Sequence, residues 1–267
     1  MTNLPVVPNA RRLVLAVLAI AGIATASCGG DDAPQTSTSG AAVAGTVVVF
    51  AASSLTEAFT AMGEAFHATN PAVEVTFNFA GSGDLVTQIN EGAPADVYAS
   101  ADDSNMTKLT DAGGNAGAPV VIARNTFAII VGPGNPQGIT GLADLADPDL
   151  IVVLCADTVP CGKGAATVLA NAGVTVTPKS FEEKVKGVVT KVTVGEADTG
   201  IVFVTDVIAA GDAAAGVPIP ADVNAISNYP IVVTENAPNA AAAQAFVDFV
   251  AGAAGQAILA KYGFLPA

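Results

Sequence analysis

The stretch Val-Val-Val-Phe-Ala-Ala-Ser-Ser-Leu-Thr-Glu-Ala-Phe (47–59) changes its apolar period half-way along. Residues 46–50 are β-branched and aromatic, the composition of a buried strand. From Ser54 onward, Leu55, Ala58, Phe59, Met62, Ala65 and Phe66 recur at helical spacing. Ser54 followed by Glu57 has the form of a capping box, and Asn70-Pro71 stops the helix. A strand that runs through a small, hydroxyl-bearing turn into a helix is the repeating unit of an α/β fold.

Working outward, the same alternation continues. Strands are expected at 73–79, 96–99, 127–131, 151–154, 200–204 and 231–234. Helices are expected at 84–90, 106–112, 142–145, 164–172, 181–189, 205–210, 240–253 and 255–261, with Gly81-Ser82-Gly83 as a turn. Strands alternating with helices predict parallel-rich layers. No repeat at a fixed period is visible. Turn-rich punctuation near 132–141 and 211–230 suggests a division into two lobes.

The N-terminus is of another kind. Arg11 and Arg12 precede a run of 13 apolar, small or hydroxyl residues, 13–25, and then Thr25-Ala26-Ser27-Cys28. A basic patch, a short apolar core and small residues describe a secretory signal over 1–27, too short for a comfortable membrane span. Small residues ending at Cys28 and followed by Gly29-Gly30-Asp31-Asp32 resemble a lipoprotein lipobox, which would make Cys28 the lipidated first residue of the mature chain. Thr25 departs from the aliphatic residue usual there, and ordinary cleavage leaving an incidental thiol is the alternative. Residues 28–45, rich in Ser, Thr, Ala and Gly, read as a flexible tether. Folding is expected from Thr46, leaving 222 residues (46–267), enough for two modest lobes.

Ten Lys and Arg stand against 24 Asp and Glu. Removing 1–27 removes two Arg and no acid, so the mature chain carries about −16 (8 minus 24). That balance argues against nucleic acid, which needs a basic face, and against charge-driven docking on anionic lipid. An acidic protein that binds an anion must use local dipoles. Cys155 and Cys161 lie six apart in a chain bound for an oxidising compartment, so either a disulfide or two buried thiols is expected. With one histidine, His67, and no third nearby cysteine, a metal site is not expected.

Four segments share the layout strand, tight turn, helix start: 50–55, 79–84, 157–162 and 182–185. A helix start offers free backbone N–H groups and about half a positive charge. Several aimed into one cleft would hold an anion without a cation. Alone, each segment is weak: Ser54 caps a helix equally well, and Ser82 suits a turn.

Taken together, Val-Val-Val-Phe-Ala-Ala-Ser-Ser-Leu-Thr-Glu-Ala-Phe (47–59), Phe-Ala-Gly-Ser-Gly-Asp-Leu (79–85), Gly-Ala-Pro-Ala-Asp-Val-Tyr-Ala-Ser-Ala-Asp (92–102), Val-Pro-Cys-Gly (159–162), Gly-Ile-Val-Phe-Val-Thr-Asp-Val (200–207) and Tyr-Gly-Phe (262–264) resemble the molybdate-binding periplasmic protein family over nearly all of 46–267. The resemblance implies an α/β, type II periplasmic-binding-protein fold, two lobes joined by a two-strand hinge. The lobes would be 46–126 plus 232–267, and 127–231. It implies molybdate or tungstate held by neutral donors, with delivery to ABC-transporter permease subunits. The protein would be an extracytoplasmic monomer, anchored to the membrane through Cys28, with no cofactor. The family's serine donors fall on Ser54 and Ser82, and its backbone donors on Cys161 and Val185. Its tyrosine hydroxyl falls on Phe203, which has none. One hydrogen bond to a charged ligand is worth about 1.5–3 kcal/mol, roughly ten- to a hundredfold in affinity. Thr205 and Thr158 are the candidate replacement donors.

Sulfate or phosphate capture is the alternative, with Asp84 either accepting a proton from hydrogen phosphate or simply starting its helix. An enzyme is not expected: a nucleophilic triad would have to use His67, and no nucleophile elbow or P-loop is present. Lys163, Lys184 and Lys186 lie near the cleft loops and read as solvated side chains.

Overall fold

The computed structural model describes residues 43–267. The expected signal, the lipidation site Cys28 and nearly all of the tether lie outside the described residues. The order of elements is β1 (Gly45–Ala52), a 3-10 turn (Ser53–Leu55), α1 (Thr56–Thr69), β2 (Val73–Ala80), α2 (Ser82–Asn90), β3 (Val97–Ala99), α3 (Asp103–Asp111) and β4 (Val120–Val131). Then come β5 (Val152–Cys155), α4 (Pro160–Ala172), β6 (Ser180–Glu182), α5 (Val185–Thr193), β7 (Thr199–Phe203) and α6 (Val204–Ala210). The chain ends with β8 (Ala215–Pro218), β9 (Ile226–Val233), α7 (Ala240–Ala251) and α8 (Ala253–Lys261).

The strands run in the order β2-β1-β3-β9-β4-β7-β5-β6, with β8 also on β4. β1 pairs parallel with β2 and β3, and β5 pairs parallel with β6 and β7. β4 and β9 are the antiparallel strands that connect these two parallel groups. β4 changes partner between Thr126 and Phe127: Val120–Thr126 pair with β9, Phe127–Val131 with β7. A register shift between Val121 and Ala123 lies opposite Tyr229 and Pro230. Proline cannot donate to a ladder, and a bulge is where a central strand accommodates it.

The run Val47-Val48-Val49-Phe50 is continuously apolar because both faces of β1 are covered. Val47, Val49 and Ala51 pack with Phe59, Met62 and Phe66 of α1 and Phe246 of α7. Phe50 packs on the other face with Leu85, Tyr98, Met106 and Leu109 under α2 and α3.

Several expected boundaries move. The helix expected at 84–90 begins at Ser82, and that expected at 164–172 begins at Pro160, whose fixed φ suits a first helical position. The helix expected at 181–189 is strand β6 followed by α5, because residues 180–182 pair with β5. β4 and β9 extend through Arg124-Asn125-Thr126 and Ser227-Asn228, where Arg124 pairs with Asn228 and Asn125 with Ser227. β8 was not expected. The capping box does not form: no side chain caps the first turn, and Ser54 and Glu57 are engaged elsewhere.

Candidate anion site

The loops that leave the carboxyl ends of β1, β2, β5 and β6, and the last residue of β7, line one small cavity of about 10 Å³. The crevice beyond the carboxyl ends of parallel strands is where open α/β sheets bind ligands. Ala52 ends β1 and Ser53 and Ser54 follow it, and Gly81 and Ser82 follow β2. Val159, Pro160 and Cys161 follow β5, Lys184 and Val185 follow β6, and Phe203 ends β7. All five residues expected at the site, Ser54, Ser82, Cys161, Val185 and Phe203, line this one small space. A wider groove between α1 and β2, walled by Thr60, Glu64, His67 and Glu74, has no such convergence of helix starts.

Four helical segments begin at this cavity, with Ala52, Gly81, Val159 and Lys184 at their N-cap positions. None has a side-chain cap. Their first N–H groups have no intrahelical acceptor, and their positive ends lie in one cavity wall. Among the described residues, the wall contains no carboxylate. The space is far below the roughly 300–1,000 Å³ of a site for a drug-sized organic molecule. Chemically, this is a small, donor-rich pocket that favours an anion without hydrogens.

Each serine has an internal hydrogen-bond partner. Ser82 Oγ accepts the Ala101 N–H at 3.1 Å, while Tyr98 donates to the Ser82 carbonyl at 2.9 Å. Ser54 Oγ lies 2.9 Å from the Tyr229 hydroxyl, which is fully buried. Phe203 packs between Phe127, a tilted ring with centroids 4.7 Å apart, and Tyr229, an edge-on ring at 5.8 Å. Neither expected substitute for the missing hydroxyl is in the wall: Thr205 Oγ1 instead accepts Asn125 Nδ2 at 2.8 Å, and Thr158 does not line the cavity. Asp84 is exposed in the first turn of α2 and is also absent from the wall.

The cavity is closed by contacts between the two parallel groups. A Cβ on Gly81 would stand 2.4 Å from the Glu183 carbonyl oxygen. Lys163 Nζ pairs with Asp102 at 3.0 Å. Lys186 Nζ holds both carboxylate oxygens of Glu57, at 2.8 and 2.9 Å, and lies 3.2 Å from Asp206 Oδ1 without hydrogen-bond geometry. Lys163 and Lys186 are thus bridges across the cleft, not the free solvated side chains expected. Burial pushes the Asp206 carboxyl up to about 6 against the opposing pull of Lys186. Desolvation alone would lower Lys186, but the charges of Asp206 and Glu57 outweigh it and hold the ammonium above its usual range.

Cys155, ending β5, and Cys161, in the first turn of α4, are joined by a disulfide with Cα atoms 5.7 Å apart. It fastens the α4 start to the strand before it. His67 Nδ1 lies 2.7 Å from the Val73 carbonyl, and the residue is outside the cavity wall. Tyr229, Asn125 and the Glu57–Lys186 bridge escaped the sequence reading. Tyr229 sits at the end of the turn-rich stretch 211–230, Glu57 has the form of a helix-capping residue, and Asn125 and Lys186 carry no local signal.

The profile of the bacterial extracellular solute-binding protein family matches residues 47–265. The molybdate-binding protein ModA of Mycobacterium tuberculosis is 41% identical over 252 residues, 94% of this chain and 95% of that protein. The periplasmic molybdate-binding protein of Azotobacter vinelandii superposes with a TM-score of 0.72 at 22% identity, over 83% of this chain and 99% of that one. The sulfate-binding protein SubI of M. tuberculosis gives 0.71 at 21%, over 83% and 86%, so the fold alone does not select the anion. The chain belongs to the bacterial extracellular solute-binding proteins, binding proteins and not enzymes, among the relatives of the molybdate-binding protein ModA.

Proposed function

We propose that this protein captures molybdate or tungstate in the cavity between its two parallel sheet groups and delivers it to the permease subunits of an ABC transporter. The convergence of four uncapped helix starts and two serines on one carboxylate-free pocket carries this reading. The ligand donors are the hydroxyls of Ser54 and Ser82 and the backbone N–H groups of Cys161 and Val185, with Phe203 contributing shape alone. A pocket made of donors rejects a protonated oxyanion, whose O–H finds no acceptor. That favours the fully deprotonated dianion over hydrogen phosphate. The similarity to ModA favours molybdate over sulfate.

The lobes are 46–126 plus 232–267, and 127–231, on this reading. The partner change of β4 between Thr126 and Phe127 supports the first crossing, and the pairing of β9 with β4 from Ile226 draws the second toward the start of β9. The protein acts as an extracytoplasmic monomer held to the membrane by lipid on Cys28, and a Cys28→Ala variant is then released from the membrane fraction. Elemental mass spectrometry of protein purified from molybdate-supplemented cells tests the ligand. Near-stoichiometric Mo, or W when tungstate is supplied, is expected. Protein saturated with sulfate or phosphate and devoid of both metals would overturn it.

A further inference from the structure

Tyr229 is fully buried on β9, one strand away from Asn125 on β4. Ala123 is opposite Tyr229 in the ladder, and Asn125 is the diagonal neighbour on the same face. The orientation of the Asn125 amide is set by its own backbone: Oδ1 accepts the Thr126 N–H at 3.0 Å. Nδ2 therefore points inward, donating to Thr205 Oγ1 at 2.8 Å and to the Tyr229 hydroxyl oxygen at 3.4 Å. The Tyr229 oxygen thus accepts from Asn125. Its other neighbour is Ser54 Oγ at 2.9 Å.

The direction of that last bond follows by elimination. Were Ser54 to donate to Tyr229, the phenolic hydrogen would be buried with no acceptor among the described residues. An unsatisfied buried donor is costly, so the hydrogen goes to Ser54 Oγ. Burial drives the Tyr229 hydroxyl well above the usual phenol range, which keeps that hydrogen in place. Its polar surroundings are Ser54, Asn125 and the charges of Asp206 and Asp102. Ser54, already accepting, has its own hydrogen left, and it lines the cavity.

We infer that Tyr229 is a positioning residue for anion binding: through the one-way chain Asn125 to Tyr229 to Ser54, it commits the Ser54 hydroxyl to donating into the cavity and strengthens that bond. Chains of hydrogen bonds polarise one another, so the effect exceeds that of an isolated serine. Tyr229 is not in the cavity wall, and it lies on a strand that pairs with both β3 and β4. The inference rests on the cavity being the oxyanion site.

A double-mutant cycle tests it. Dissociation constants for molybdate are measured by calorimetry for wild type, Tyr229→Phe, Ser54→Ala and the double variant. Tyr229→Phe weakens binding roughly five- to thirtyfold when Ser54 is present, and less than about twofold in the Ser54→Ala background. A merely structural tyrosine would give the same loss in both backgrounds, and that result, or no loss in either, overturns the inference. Should Tyr229→Phe fold poorly in a thermal melt, Asn125→Ala interrogates the same chain from its other end, with the same dependence on Ser54 expected and an equal loss in both backgrounds again decisive against it. If wild type binds sulfate and not molybdate, the ligand reading fails, and the cycle run with sulfate still decides the role of Tyr229.

Discussion

Lys186, in the first turn of α5, holds both carboxylate oxygens of Glu57, in the first turn of α1, at 2.8 and 2.9 Å. The two helices belong to opposite walls of the cavity, so this ion pair forms only when the walls meet. Glu57 is 38% exposed, and solvent screens the pair to within about 1 kcal/mol. Glu57→Gln should therefore weaken oxyanion affinity by about two- to fivefold at low salt, and the difference should vanish at high salt. Calorimetric titration at the two ionic strengths reads this. A difference that persists at high salt would mean that Glu57 acts otherwise.

Asp206 gives the fold a pH dependence with a fixed sign. Its folded value, about 6, lies above the ordinary 3.8, so between those values the native state binds more protons than the unfolded chain. Stability from this group is thus greatest below about pH 4 and declines through about pH 6, by about 3 kcal/mol in all. Asp206→Asn removes the decline. Urea unfolding of wild type and variant at acid and neutral pH should show the variant gaining relative to wild type as pH rises. A constant difference would contradict the assignment.

Gly81 has φ −62°, a conformation open to any residue, so its requirement is spatial. A methyl group there meets the Glu183 carbonyl and holds the walls apart. Gly81→Ala should lower affinity at least about tenfold while leaving the melting temperature of the ligand-free protein within about 2 °C of wild type. Loss of stability without loss of affinity would show that Gly81 serves folding and not closure.

The Cys155–Cys161 bridge closes a short loop, so the chain-entropy model gives it only about 2 kcal/mol of stabilisation. Its position at the start of α4 makes the larger effect local. Cys155→Ala/Cys161→Ala should melt several degrees lower and bind the anion more weakly, because the Cys161 N–H is no longer held. Equal affinity in the two forms would leave the bridge a purely stabilising role.

How much of this could be seen in the chain itself varies with the physics of each feature. Elements whose period was written in apolar residues, such as β1, α1 and β5, appeared nearly where expected. The helix starts around the cavity did not, since Gly81-Ser82-Gly83 and Val159-Pro160-Cys161 carry turn residues that equally suit a first helical turn. Asn125 and Tyr229 were illegible because their side chains meet partners far apart in sequence, and the extended parts of β4 and β9 because backbone pairing leaves no apolar pattern there. Ser54 shows the limit most plainly. Locally it has the form of a cap, and only the tyrosine 175 positions later takes its oxygen away from the helix. The dipole-lined site, by contrast, was visible in outline, because small hydroxyl-bearing turns after strands are local features.

The central claim, a cavity of donors for a dianion without hydrogens, is tested most directly by titrating the purified protein with molybdate and, separately, with hydrogen phosphate at neutral pH. Tight one-to-one molybdate binding, at least about a hundredfold stronger than phosphate, is predicted. Phosphate binding as tightly as molybdate, or more so, would contradict it.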